Sequence, residues 1–259
     1  MFTAQGARLL PIAVDEFGLV VEELANHSSE RIKLALVTPS HQFPTGAILS
    51  LPRRLQLLAW AQQTGTVIIE DDYDSEYRYG SQPLPALQGI DRSHSVIYAG
   101  SFSKVLFPSL RIGYLVLPPS LVSLFASAKW LSDRQLPLLD QQVLTDFIEE
   151  GHFERHIRRM RSHYDRNRLV LVQALNDYFG NRATILGENA GIHLMVRLHT
   201  TLSDEAIVRR ATEVGVELVP AKPHYLNTPP QGEFIFGYAE LTEQQLHEGI
   251  WRLAQALLK

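Results

Sequence analysis

The stretch VIIEDDYDSEYRY, residues 67–79, decides how the chain is read. It opens on apolar, β-prone residues and runs without a break into Glu70, Asp71 and Asp72, so a buried strand here ends directly in carboxylates. In open α/β sheets, ligands sit at the C-terminal ends of the parallel strands. A carboxylate desolvated at such a place needs a cationic partner, for example a protonated ring nitrogen. Tyr73 follows and can hydrogen-bond a phenolate-type oxygen, whereas Asp72, Asp74 and Glu76 read as an acidic, solvated loop.

Working outward, IKLALVTP (32–39), HSVIYAGS (94–101) and RIGYLVLP (111–118) are further strand candidates, and LPRRLQLLAWAQQTG (51–65) has the period of a helix. Before them, ARLLPIAVD (7–15) predicts a short strand and LVVEELANHSSE (19–30) a helix. Nearly continuous apolar strands separated by helices predict a mostly parallel sheet covered on both faces. From Pro119 to Phe179 the pattern is helical around a break at Gly151. Beyond Gly180, ATILGENAGIHLMVRL, a helix from Ser203 to Val214, VELVPAKPHY, EFIFGYAEL and a last helix from Thr242 to Leu258 predict a compact α+β unit. The boundary is expected between residues 165 and 180, giving a large domain over 1–170 and a small one over 171–259.

Composition narrows the classes of function. A chain of 259 residues, 45% hydrophobic and 20% charged, can bury a large core, and its net charge of −4 gives no global basic field for nucleic acid or an anionic membrane. The arginine-rich HFERHIRRMRSHYDRNR (152–168) interleaves Glu and Asp and reads as a solvated helix face. Without cysteine there are no disulfides and no thiolate chemistry. No basic leader followed by an apolar run opens the sequence, and no stretch approaches a membrane span; a cytoplasmic protein is expected, and no metal site is.

Two more stretches carry chemistry. SFSKVLFPSLRIGY (101–114) places Lys104 after a strand, between Ser101, Ser103 and Arg111. A buried lysine among cations and hydroxyls is the usual Schiff-base nucleophile, and Arg111 could fork onto a phosphate; a structural lysine on a loop is the plain alternative. VTPSHQFPTG (37–46) follows another strand, where His41 and Gln42 serve either simple turn chemistry or a ligand contact.

Taken together, TPSHQFPTG, IIEDDYDSEYRY and SFSKVLFPSLRIGY resemble the pyridoxal-phosphate core of fold-type I aminotransferases. More narrowly, they resemble the aminotransferase-like domain of MocR/GntR-type transcriptional regulators. The resemblance runs from about Ala7 to the C-terminal helix. It implies an α/β fold-type I transferase architecture, a homodimer, and pyridoxal 5'-phosphate as cofactor. Lys104 would bind the cofactor covalently, Asp71 would pair with the pyridinium nitrogen, and Tyr73 would hydrogen-bond the phenolic oxygen. Ser101 and Arg111 would hold the phosphate, with Ser103 and His41 or Gln42 as further contacts.

Two departures from the family pattern shape the functional expectation. Where aminotransferases carry an arginine that clamps the substrate carboxylate, EFIFGYAEL has Ile235; Arg197 and Arg252 are the nearest substitutes, with surface or helix-end roles the simpler reading. The chain also begins inside the family's large domain and carries no winged helix-turn-helix, so it is expected to be truncated and to touch no nucleic acid itself. The first reading is therefore the effector-sensing domain of a MocR-type regulator, binding a small amine or amino acid. The second is a class I/II aminotransferase acting on such a compound. A third is that the isolated piece binds nothing.

Overall fold

The computed structural model describes residues 2–27, 30–80, 84–135 and 137–258. The chain opens with a hairpin of β1 (Val14–Asp15) and β2 (Gly18–Leu19). The strand expected over 7–15 is confined to those last two residues, because the segment before them is mostly exposed and lies against no other strand to form a ladder. The helix expected over 19–30 is a 3-10 turn, Val21–His27, whose buried Val21 and Leu24 stand three residues apart, the period of that helix; Ser28 and Ser29 lie outside the described residues.

The larger sheet has the order β3 (Leu34–Val37), β4 (Val67–Asp72), β5 (Val96–Ser101) and β6 (Gly113–Val116). The first three are parallel and β6 returns antiparallel to β5, so the sheet is mostly parallel, as the apolar runs predict. Between β3 and β4 runs α1 (Leu51–Thr64), with Pro52 in its first turn and left-handed Gly65 as its stop. It buries Arg54, Leu57, Leu58 and Ala61, a stripe that packs with Val37, Leu49, Ile68 and Val96 into the first core. The single turn α2 (Leu87–Ile90) precedes β5.

After β6 come α3 (Val122–Ser132), α4 (Leu138–Glu149) and the 28-residue α5 (His152–Phe179), separated from α4 by left-handed Gly151. The remaining strands, β7 (Ala183–Leu186), β8 (His193–Leu198), β9 (Val219–Pro220) and β10 (Glu233–Gly237), form an antiparallel sheet in the order β7-β8-β10-β9. Onto it pack α6 (Asp204–Glu213), capped by Ser203, and α7 (Glu243–Leu258). Leu171, Leu175, Phe179, Leu194, Phe234 and Leu253 belong to this second core. Residue 170 falls inside α5. The first half of that helix reaches the larger sheet's loops, through His156 to the Val105 carbonyl and Arg161 to the Glu76 carbonyl, while its second half lies in the second core.

Large apolar side chains remain exposed on several elements of the larger unit. Leu34 and Leu36 on β3, Leu115 on β6, Leu124 and Leu131 on α3 and Leu138 on α4 are all at least half uncovered or close to it, Leu131 at 84%. β6 is also an edge strand with all four residues exposed. Apolar surface on this scale marks an interaction face. Among the described residues no helix is long and apolar enough to cross a membrane.

Candidate cofactor site

The register of the larger sheet assembles the three sequence stretches. Asp71 stands opposite Ala99 and Asp72 opposite Gly100, so the acids closing β4 lie beside the end of β5. Ser101 pairs with Gly113, and the Phe102 amide donates to the Ile112 carbonyl at 3.0 Å. Beyond that bond the ladder stops, and 103–106 form a turn closed by the Leu106 amide on the Phe102 carbonyl. Arg111 is left-handed, with φ of +52°, a region residues with side chains seldom occupy and one that recurs at ligand sites.

Lys104 is exposed, which corrects the expectation that the chain buries it. The buried member of its turn is Val105, 2% exposed, whose carbonyl accepts from the Tyr77 hydroxyl at 3.1 Å and from His156 Nε2 at 3.0 Å. The turn is thus anchored through the neighbouring residue, and Lys104 is left projecting. Among the described residues, neither Lys104 nor Arg111 has a hydrogen-bond or ion-pair partner within the chain. Ser101 Oγ accepts from the Ser103 amide at 3.2 Å and shapes the same turn.

The acids divide by strand alternation. Asp71 points to the exposed face with no hydrogen-bond partner among the described residues. Its pKa is raised, first by desolvation and then by repulsion from Asp72 and Asp74. Asp72 and Asp74, read from sequence as solvated, are instead 8% and 1% exposed. Asp72 accepts from Ser75 Oγ and Tyr98 Oη, both at 2.8 Å, and Asp74 faces His41 Nδ1 at 2.9 Å. They are drawn inside because Tyr77 and Tyr79, on alternate positions, bury at 0% and 5% and carry the segment beneath residues 189–191. Glu76 is half-buried and raised by that burial. Glu70, fully buried, accepts the Leu87 and Gln88 amides and so caps α2.

The third stretch forms a closed loop with a cis Phe43–Pro44 peptide. Gln42 is stitched into it: its Oε1 accepts from Thr38 Oγ1 at 2.9 Å and its Nε2 donates to the Phe43 carbonyl at 3.2 Å. His41 is 1% exposed and reaches the acidic segment through Asp74 and Tyr73. Sequence reasoning missed Asp74, Tyr77, His156 and His193 as parts of the surroundings; the alternating Tyr77 and Tyr79 were the one local signal of burial.

These features define a class. Two exposed cations without partners among the described residues and a carboxylate raised by desolvation lie on and between adjacent strands, the kinds of group that suit a ligand with a carbonyl, an anionic group and a basic ring nitrogen. The layout is that of a fold-type I transferase, with an α/β larger unit and an α+β C-terminal unit. The family described as aminotransferase class I and II matches residues 1–253, and the chain belongs to it; pyridoxal phosphate is the cofactor that membership implies.

Among similar proteins, the uncharacterized HTH-type transcriptional regulator YhdI of Bacillus subtilis is 41% identical over 99% of this chain and 54% of the regulator. The probable rhizopine catabolism regulatory protein MocR of Rhizobium meliloti is 40% identical over 98% of this chain and 51% of its own length. Among solved structures, LysN, the α-aminoadipate aminotransferase of Thermus thermophilus complexed with N-(5'-phosphopyridoxyl)-L-leucine, superposes with a TM-score of 0.91 at 31% identity, covering 99% of this chain and 67% of LysN. The chain therefore spans about half the length of the curated regulators it matches.

Proposed function

We propose that this chain is the pyridoxal-phosphate-binding, effector-sensing part of a MocR-type transcriptional regulator. The observation that carries the reading is that Asp71, in β4, and Lys104 and Arg111, in the segment joining β5 to β6, all lack hydrogen-bond and ion-pair partners among the described residues, on neighbouring strands of one sheet. Lys104 Nζ would hold the cofactor covalently and carry protons to and from it. Asp71 would keep the ring nitrogen protonated, and the Tyr73 hydroxyl, which here donates to the His41 carbonyl, would turn to donate to the phenolic oxygen. Ser101, Ser103 and Arg111 would bind the phosphate, with His41 acting behind Tyr73 and Gln42 holding the loop. When bound, pyridoxal phosphate supplies an electron sink for an amine. The cofactor unit would comprise residues 1–170 and the small unit 171–259, with α5 running through both.

Sensing is favoured over turnover by the small unit. Ile235 stands opposite Met195 in the β10–β8 pair, where the family's arginine was expected. Arg197 gives Nε and Nη2 to Glu233 Oε1 at 3.0 and 2.5 Å, and Arg252 gives the same two nitrogens to Glu248 Oε1 at 3.1 and 2.5 Å on the outer side of α7. Both guanidinium groups are engaged, so an amino acid would lack a bidentate clamp and the precise placement that repeated transfer needs. The second reading, a transaminase, is supported by the likeness to LysN. Spectra taken after adding amino acids to the loaded chain separate the two: slow or absent conversion of the cofactor supports sensing, and multiple turnovers with a keto acid support the enzyme.

On this reading DNA is contacted by a part of the regulator outside these residues, the protein works in the cytoplasm, and exposed apolar side chains such as those on α3 and α4 are covered in a homodimer of the whole protein. Two substitutions test the cradle. Arg111→Ala should weaken pyridoxal phosphate about tenfold or more, the scale of a lost charge-assisted bond, and pyridoxal much less, in parallel absorbance titrations; equal losses contradict the phosphate role. Asp71→Asn should weaken the cofactor and slow any exchange of its amino group by a comparable factor, whereas parent-like behaviour would move the pairing role to Asp72.

A further inference from the structure

We propose that Asp74 and His41 form a positioning dyad for Tyr73, and that the Gly191–His193 segment of the C-terminal unit closes over it, so that docking of that unit aims the tyrosine hydroxyl. The inference rests on the functional reading above. His41 Nδ1 lies 2.9 Å from Asp74 Oδ2 and 3.1 Å from Tyr73 Oη, and the Tyr73 hydroxyl donates to the His41 carbonyl at 3.0 Å. His41 Nε2 and Asp74 Oδ1 are buried with no hydrogen-bond partner among the described residues.

With Nε2 bare and Nδ1 turned to Asp74, the geometry places a proton on Nδ1, directed at the carboxylate. Asp74 thereby sets the tautomer of His41, and the tyrosine oxygen rests beside that nitrogen, held by its donation to the His41 carbonyl. Tyr73 itself is held well above its ordinary pKa, by burial first and then by Asp74, Asp71 and Asp72, so it remains a hydroxyl donor.

The C-terminal unit touches this arrangement through backbone. A Cβ on Gly191, whose φ is +80°, would fall 1.9 Å from His41 Cε1 and 2.7 Å from Asp74 Oδ2. The Gly191 carbonyl accepts from Tyr79 Oη at 2.8 Å and Tyr238 Oη at 2.6 Å, and its amide donates to the Tyr77 carbonyl at 2.6 Å. His193 stacks at a tilt, 4.7 Å from the His41 ring, with Nε2 on the Pro44 carbonyl at 3.2 Å. Burial first, with the Lys104 charge adding to it, pushes His193 down to about 3, so it faces the dyad as a neutral ring. Lys104 and Asp72 are the other charged groups felt by Asp74.

The trio of His41, Asp74 and His193 also has the composition of a metal site, with ligand atoms within 4.8 Å of one another. The direct His41–Asp74 bond already joins two of those ligands, His193 meets them only as a tilted ring, and the Lys104 charge opposes a cation, so the trio reads as a hydrogen-bonded pair beside a neighbouring imidazole.

Two measurements on the 259-residue chain test the dyad, with thermal melts to confirm that each variant folds. In the cofactor-free protein, imidazole nitrogen resonances should show His41 as the Nδ1–H tautomer, and the near-isosteric Asp74→Asn should move it towards Nε2–H. In the loaded protein, Tyr73→Phe, Asp74→Asn, His41→Gln and Gly191→Ala should all shift the pH midpoint of the bound cofactor's visible band in the same direction, by on the order of one pH unit. A shift with Tyr73→Phe that Asp74→Asn and Gly191→Ala do not share overturns the dyad while leaving the cofactor reading intact. Absence of any band in the parent defeats the cofactor reading, and the tautomer then decides: persistence of Nδ1–H in Asp74→Asn overturns the dyad, and its loss upholds it.

Discussion

Replacing Lys104 with alanine is expected to abolish covalent attachment of pyridoxal phosphate while leaving the fold almost untouched. The visible band should be missing, and borohydride should fix no pyridoxyl group on the variant. Lys104 is exposed and has no partner within the described chain, and its turn is held instead by Val105 through Tyr77 and His156. The stability change should therefore stay within about 0.5 kcal/mol, as for surface substitutions away from special features. Residual, non-covalent binding through Arg111 and the serines should remain in a titration. A borohydride-fixed label in the variant would move the covalent role to another lysine.

Replacing Arg54 with methionine is expected to produce the largest loss of stability, about 3–5 kcal/mol, the range for stranding one partner of a buried charged network. Arg54 is fully buried, donating Nε to the Leu49 carbonyl at 2.9 Å, Nη1 to the Pro85 carbonyl at 3.0 Å and Nη2 to the Pro39 carbonyl at 2.7 Å, with Glu70 Oε1 at 4.0 Å. Methionine fills similar space but leaves three carbonyls without this donor and Glu70 without its neighbouring cation. The melting temperature should fall by on the order of ten degrees. Arg54→Lys should rescue little, because a point charge cannot match a planar fork reaching three loops. Since Pro39 and Leu49 bracket His41, cofactor affinity should decline along with stability. A loss below about 1 kcal/mol in denaturant unfolding would show that the network is not what pins this loop.

The same residues show how far the sequence could be read. The strands of the larger sheet were legible because continuous apolar runs such as 67–69 are bounded by charge and turn residues, and β4 carries on through the acids to end at Asp72. Membership of the family was legible from the order of three motifs, and that needed no geometry. What local pattern could not carry was contact over long sequence separation. Asp74 looks solvated among acids, yet it is buried by His41 and Gly191, and His193 meets the carbonyl of Pro44 across 149 residues. Lys104 looked buried because its neighbours are apolar, whereas Val105 takes the interior position and turns the lysine outward. The stretch over 7–15 alternated like a strand but lay against no ladder partner beyond the Val14–Asp15 hairpin. Arg54 appeared as one of two adjacent arginines on a helix; only the packed loops distinguish it from Arg53, which pairs with Asp15 near the surface.

The most direct test of the central claim, that the ends of β4, β5 and β6 build a pyridoxal-phosphate cradle, is to mix the chain with the cofactor, reduce with borohydride and locate the added mass by peptide mapping. The account predicts a visible band and a single pyridoxyl label on Lys104. A folded chain that takes no label, or takes it elsewhere, would contradict it.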